Sequence, residues 1–83
     1  MYDVIFTDKA LKQLKKLERK IQERIITVLE RIRIRPEHYV TKLVGDTGYK
    51  LRVGDYRIIM DIDSGKLVVL VLKIGHRKSI YKG

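Results

Sequence analysis

Six side chains in the second half of this chain have the types needed to handle a phosphodiester. They are Lys50, Arg52 and Arg57, and then His76, Arg77 and Tyr81 in the terminal segment GHRKSIY. An arginine fork pairs with phosphate oxygens two at a time and keeps its charge. An imidazole titrates near neutrality and so suits acid-base work. A phenol can orient or deprotonate a hydroxyl, or stack on a base. RNA carries its own nucleophile in the 2′-hydroxyl, so a protein that cuts it must hold the chain in line, neutralise the crowded phosphorus and move two protons. No Ser-His-Asp arrangement, carboxylate pair or glycine-rich phosphate loop competes with this set. The two histidines, His38 and His76, lack the local spacing of a metal motif, so neither metal nor cofactor is expected. Taken singly, a histidine beside a strand end and a terminal tyrosine are more often structural.

Period-two patterning in the segments YKLRV, YRIIMDI and KLVVLVLKI predicts three strands, joined by tight turns at Gly54-Asp55 and at 63–65. A two-residue loop at Gly54-Asp55 pairs Val53 with Tyr56, Arg52 with Arg57 and Leu51 with Ile58. Cross-strand partners share a face, as do residues two apart. Lys50, Arg52 and Arg57 therefore share one side, and Tyr49, Leu51, Tyr56, Ile58 and Met60 share the other. Like charges abreast cost a sheet up to about 1 kcal/mol, so three clustered cations suggest a site awaiting an anion. The plainer alternative is a solvated face, or an ion pair with Asp61 on the same side. Symmetric pairing across Ser64-Gly65 sets Leu72 opposite Arg57 and carries Ile74 and His76 onto the cationic face. A bulge at Gly75 would re-aim His76 and Arg77 beyond it. The last strand, apolar on both faces, is expected to be central.

The first half must supply the layer that covers such a sheet. Residues 2–6 alternate as a short strand, with Tyr2, Val4 and Phe6 on one side. Thr7 is an N-cap and Asp8 a first-turn carboxylate. Ala10, Leu11, Leu14 and Leu17 stripe a first helix, opposite Lys9, Lys12, Lys15 and Lys16. A second helix over 19–34 carries Ile21, Ile25, Val28, Leu29 and Ile32, and Pro36 stops it. Residues 37–48 have no period and are expected to form a loop. The predicted fold is α+β, a single domain over residues 1–83. It has an N-terminal strand, a two-helix hairpin, then a three-stranded antiparallel meander, with the helices packed on one face of the sheet.

Bulk properties narrow the partner. The 83 residues carry 19 Lys and Arg against 10 Asp and Glu, a net charge of +9. So much self-repulsion points to an acidic partner, with nucleic acid ahead of an acidic protein or a membrane surface. The absence of cysteine excludes disulfide scaffolds and thiolate metal sites. The longest apolar run, residues 67–72, is far short of the roughly 20 needed to span a bilayer. The start of the chain lacks the basic segment and small-residue cleavage site of a secretory leader, so a cytoplasmic location is expected.

The segment YKLRVGDYR and the terminus GHRKSIY, with the helical hairpin and the FTDKA entry to it, resemble the RelE/ParE superfamily of toxin-antitoxin toxins over essentially the whole chain. The RelE branch is the nearer resemblance. It implies a metal-independent endoribonuclease that cuts mRNA on the ribosome by 2′-hydroxyl attack and so inhibits translation. It places functional roles on Lys50, Arg52, Arg57, Arg77 and Tyr81. Arg57 and Arg77 would stabilise the phosphate, Tyr81 would orient the nucleophile and stack on a base, and Lys50 would add charge. Arg52 stands where some members have a second lysine. His76 stands where some have lysine and would take over proton transfer. Lys42, Lys73, Lys78 and Lys82 are expected to contact the RNA. The resemblance also implies a cognate acidic, RelB-like antitoxin in a heterodimer or heterotetramer, and no membrane. Two alternatives remain: a ParE-like gyrase poison without nuclease chemistry, and a non-catalytic RNA- or ribosome-binding module.

Overall fold

The computed structural model describes residues 1–45 and 47–76. The chain enters as β1 (Asp3–Phe6) and turns into α1 (Asp8–Lys15), where the Thr7 Oγ1 accepts the Ala10 N–H at 3.1 Å as an N-cap. Asp8 in the first turn and Lys12 and Lys15 in the last complement the helix dipole. α2 (Arg19–Arg31) follows, and Gln22 ties it to the connection after α1 by donating from Nε2 to the Leu17 carbonyl at 2.8 Å.

α2 stops at Arg31, short of the expected Ile34. Beyond it the backbone is committed elsewhere. The Tyr2 N–H donates to the Arg33 carbonyl at 2.8 Å, and Arg33 Nε returns a bond of 2.8 Å to the Tyr2 carbonyl. Arg35 is extended (φ −139°), as a residue before proline prefers, and Pro36–His38 form one 3₁₀ turn. Glu37 in that turn accepts from the Tyr2 hydroxyl at 3.2 Å. Burial first, and then this carboxylate, push the Tyr2 phenol above its ordinary pKa.

The sheet holds β2 (Thr41–Lys42), β3 (Tyr49–Val53), β4 (Tyr56–Asp63) and β5 (Val68–His76) in the order β1-β5-β4-β3-β2. β1 runs parallel to β5 and the other pairs are antiparallel, so the sheet is mixed. Among the described residues, two helices and five strands make the α+β fold expected, with β5 interior to the sheet as its apolar run implied. β2 was not expected. It lies within the stretch 37–48 read as a loop, where two residues are too few to show a period. One face of the sheet is covered: Ala10, Leu14, Ile25, Leu29 and Ile32 from the helical side join Leu51, Val53, Ile58, Met60, Val69, Val71 and Ile74 in one core. Among the described residues, no helix is long and apolar enough to cross a membrane.

β1 is shorter than β5, which leaves the far half of β5 without a strand on that side. α1 and its cap supply the missing partners. The Thr7 hydroxyl donates to the Leu72 carbonyl at 3.2 Å, and Gln13 Oε1 accepts the Ile74 N–H at 2.8 Å. A helical side chain thus completes the ladder where β1 has turned away.

The β3–β4 hairpin has the expected register, with Val53 opposite Tyr56 and Arg52 opposite Arg57. The β4–β5 pair does not. Its turn is wider than a two-residue loop, with Asp63 opposite Val68. Asp63 Oδ1 organises it by accepting the N–H groups of Gly65 and Lys66, each at 3.0 Å. That widening slides β5 by two residues, which preserves facing. An irregularity between Ile59 and Met60, where Val71 and Lys73 are the successive partners, slides it by one more. A one-residue slip exchanges the faces. Arg57 therefore stands opposite Gly75, not Leu72, and Ile74 and His76 fall on the covered side. The bulge is real, but it sits upstream of Gly75.

Candidate nucleic-acid interface

The uncovered face of the sheet brings four cations together, each placed there by register. Lys50 and Arg52 come from β3, Arg57 from β4 and Lys73 from β5. They form two rows across the strands. One row runs Thr41, Lys50, Ile59 and Lys73, and the next runs Arg52, Arg57 and Gly75. Arg52 is exposed, while Lys50, Arg57 and Lys73 are half-buried. Half-burial holds a long cationic stem against the sheet, and in Arg57 it reaches the guanidinium, whose Nε is buried. Arg52 also bends toward the turn, donating from Nε to the Gly54 carbonyl at 3.3 Å. Gly54 itself has φ +59°, the left-handed geometry that lets the hairpin close in two residues.

Gly75 carries no side chain, so the surface beside Arg57 is low. The result is a shallow floor edged by guanidinium and ammonium groups, on which a phosphate can approach the backbone closely. Asp61, the suspected ion-pair partner on this face, stands opposite Leu70 and lines a neighbouring hollow of about 410 Å³ with Ile5, Asp63 and Val68.

Two expected participants stand elsewhere. His76 pairs with Tyr56, on the opposite face from Arg57, and meets the Tyr56 ring edge-on, with centroids 5.5 Å apart and planes at 81°. The expectation that it continues the cationic face is thus corrected, and the bulge beside Ile59 is the reason. Lys42 pairs with Tyr49 and shares its side of the sheet, whereas Thr41 accompanies Lys50. Arg77, Lys78, Tyr81 and Lys82 lie outside the described residues. Sequence reasoning missed Thr41, because nothing in 37–48 signals a strand. Among the described residues, no group of three or more His, Asp or Glu side chains could hold a metal ion.

Helices packed on one face of a mixed sheet make an α+β fold that matches solved RelE structures. The family model described as the ParE toxin of the type II toxin-antitoxin system parDE matches residues 4–81, and the chain belongs to this RelE/ParE family of toxins. Among solved structures, the toxin-antitoxin complex RelBE2 of Mycobacterium tuberculosis contains a chain 26% identical, with a TM-score of 0.84, covering 92% of this chain and 98% of that one. The intact Escherichia coli RelBE complex offers one 30% identical, with a TM-score of 0.74 and coverage of 92% and 96%. The isolated E. coli RelE toxin is 26% identical, with a TM-score of 0.77 and coverage of 98% and 92%. No curated protein sequence matches the chain.

Proposed function

We propose that this toxin is an endoribonuclease of the RelE kind, cutting mRNA on the ribosome, and that an acidic antitoxin holds it inactive. The observation that carries the reading is Arg52 abreast of Arg57 on the uncovered face, with Lys50 and Lys73 beside them. A fold keeps such a pair when an anion repays the repulsion. In the reaction the 2′-oxygen attacks the adjacent phosphorus as it loses its proton, the new P–O2′ bond forms, and the P–O5′ bond breaks as the departing 5′-oxygen gains a proton. Arg57 and Arg77 would neutralise the phosphorus-bound oxygens, and Arg52 and Lys73 would hold the strand. Tyr81 would orient the attacking hydroxyl or stack on a base, and Lys50 would add charge and could pass a proton. His76, facing the other way beside Tyr56, would act only from the rim of the sheet. The M. tuberculosis and E. coli relatives are complexed with their antitoxins, which supports a RelB-like partner, in a heterodimer or heterotetramer.

The test is cleavage of mRNA on programmed ribosomes. Arg57→Ala and Arg77→Ala should each reduce it by about 10²- to 10³-fold, with the melting temperature kept. Cleavage at the wild-type rate by both variants would remove the catalytic assignment. A second reading has support in the description of the matching family model: a ParE-like gyrase poison using the same fold. Inhibition of supercoiling by the purified toxin, with RNA left uncut, would decide for it.

A further inference from the structure

The end of α2 and the 3₁₀ turn after it make a second basic surface, built from elements that contribute nothing to the sheet site. Arg31, Ile34, Arg35, His38 and Tyr39 line a hollow of about 290 Å³ there. All five are exposed, Ile34 by 68% and Tyr39 by 49%, so neither apolar group is invested in the core. The turn is nevertheless anchored, because Pro36 beneath it is buried. The two carboxylates nearest in sequence are engaged elsewhere: Glu30 holds Arg33 at 2.8 Å, and Glu37 accepts from Tyr2. Among the described residues, no acidic side chain lines the hollow. Two guanidinium groups, an imidazole and a phenol ring thus surround one concavity with no carboxylate in its wall.

We propose that this hollow is a second RNA-binding subsite, taking a single-stranded segment with a base stacked on Tyr39 and backbone phosphates on Arg31 and Arg35. The proposal rests on the RNA reading above and adds a contact outside the cleavage site. Planar rings beside guanidinium groups match unpaired bases, whose faces stack on either, while the paired arginines match successive phosphates. Ile34 adds apolar surface for a base or sugar edge.

The probe is a fluorescently labelled, fully 2′-O-methylated uridine dodecamer, which lacks the attacking hydroxyl and cannot be cut. Its affinity is read by anisotropy across a salt series. Tyr39→Ala should weaken binding roughly tenfold, and Tyr39→Phe should restore it, because stacking needs the ring alone. The Arg31→Ala/Arg35→Ala pair should lower the salt slope by about 1.4, two single-strand phosphate contacts. Arg19→Ala, which removes a charge engaged with Glu23 on α2, should leave affinity within twofold. The proposal is overturned if Tyr39→Ala binds like the wild type, or if Arg19→Ala costs as much as Arg35→Ala. It is equally overturned if the arginine pair weakens binding of a polyglutamate peptide but not of the oligonucleotide. Because the probe cannot be cleaved, a toxin that binds it through Tyr39 yet cuts no RNA ends the nuclease reading alone. One that cuts mRNA but binds the probe without Tyr39 ends this proposal alone.

Discussion

The same three strands present two unlike surfaces. On the covered side Ile58, Met60, Val69 and Val71 have no exposed area at all. One residue away along the chain, on the other side, stand Arg57, Ile59, Asp61 and Leu70, and like charges face each other across β3 and β4. Removing apolar surface from water is what holds this domain together, and that gain is concentrated on one face. The other face is kept in an arrangement that folding alone disfavours. The difference separates residues whose burial maintains the fold from residues whose placement burial does not explain.

Substitutions on the two faces should therefore move different quantities. Met60→Ala, which opens a cavity among fully buried neighbours, should cost about 2–5 kcal/mol in urea unfolding and leave activity per folded molecule unchanged. A loss below about 1 kcal/mol would mean that the covered face is not the principal core. Arg52→Thr should act in the opposite sense. By relieving the repulsion with Arg57 it should stabilise the fold by about 0.5 kcal/mol while weakening RNA association. If it destabilises, the cationic pair is structural and the contrast fails. The smallest effect belongs to Tyr2, at the margin of the covered side. Its phenol titrates above the ordinary value of 10.0, so the fold favours the protonated form. That contribution is complete below the unfolded-state value and is lost as pH rises through the folded one. Stability should decline at alkaline pH, and Tyr2→Phe should flatten the decline, as unfolding midpoints measured across the phenol range will show.

How much of this could be read in advance differs from one hairpin to the next. Gly54-Asp55 dictates a two-residue loop, and from it come the register of β3 and β4, the facing of Lys50, Arg52 and Arg57, and the burial of Leu51 and Ile58. The helical stripes were legible in most positions, because burial of Ala10, Leu14, Ile25 and Leu29 recurs at helical spacing, but Leu11, read as part of the first stripe, is exposed. The second hairpin was not legible. Its turn passes through Leu67 in the left-handed region (φ 55°), a conformation no side-chain pattern announces, and its bulge depends on packing between strands. A single extra residue there decided that Lys73 joins the cations and His76 does not. β2 escaped notice because its strand character comes from pairing with Tyr49 and Lys50, not from its own two residues.

The parallel pairing of β1 with β5 brings together the first and last strands among the described residues. Asp3 to Phe6 find their partners only at Val68 to Val71, so a chain emerging from its own synthesis cannot make this pairing until residues 68–71 have been made. Partial products would display the helices, with Lys12 and Lys15 in the last turn of α1, without a finished cationic floor. For a molecule that is poisonous once complete, such late closure acts as a built-in delay, leaving an interval in which a guardian protein can be waiting when the chain is released.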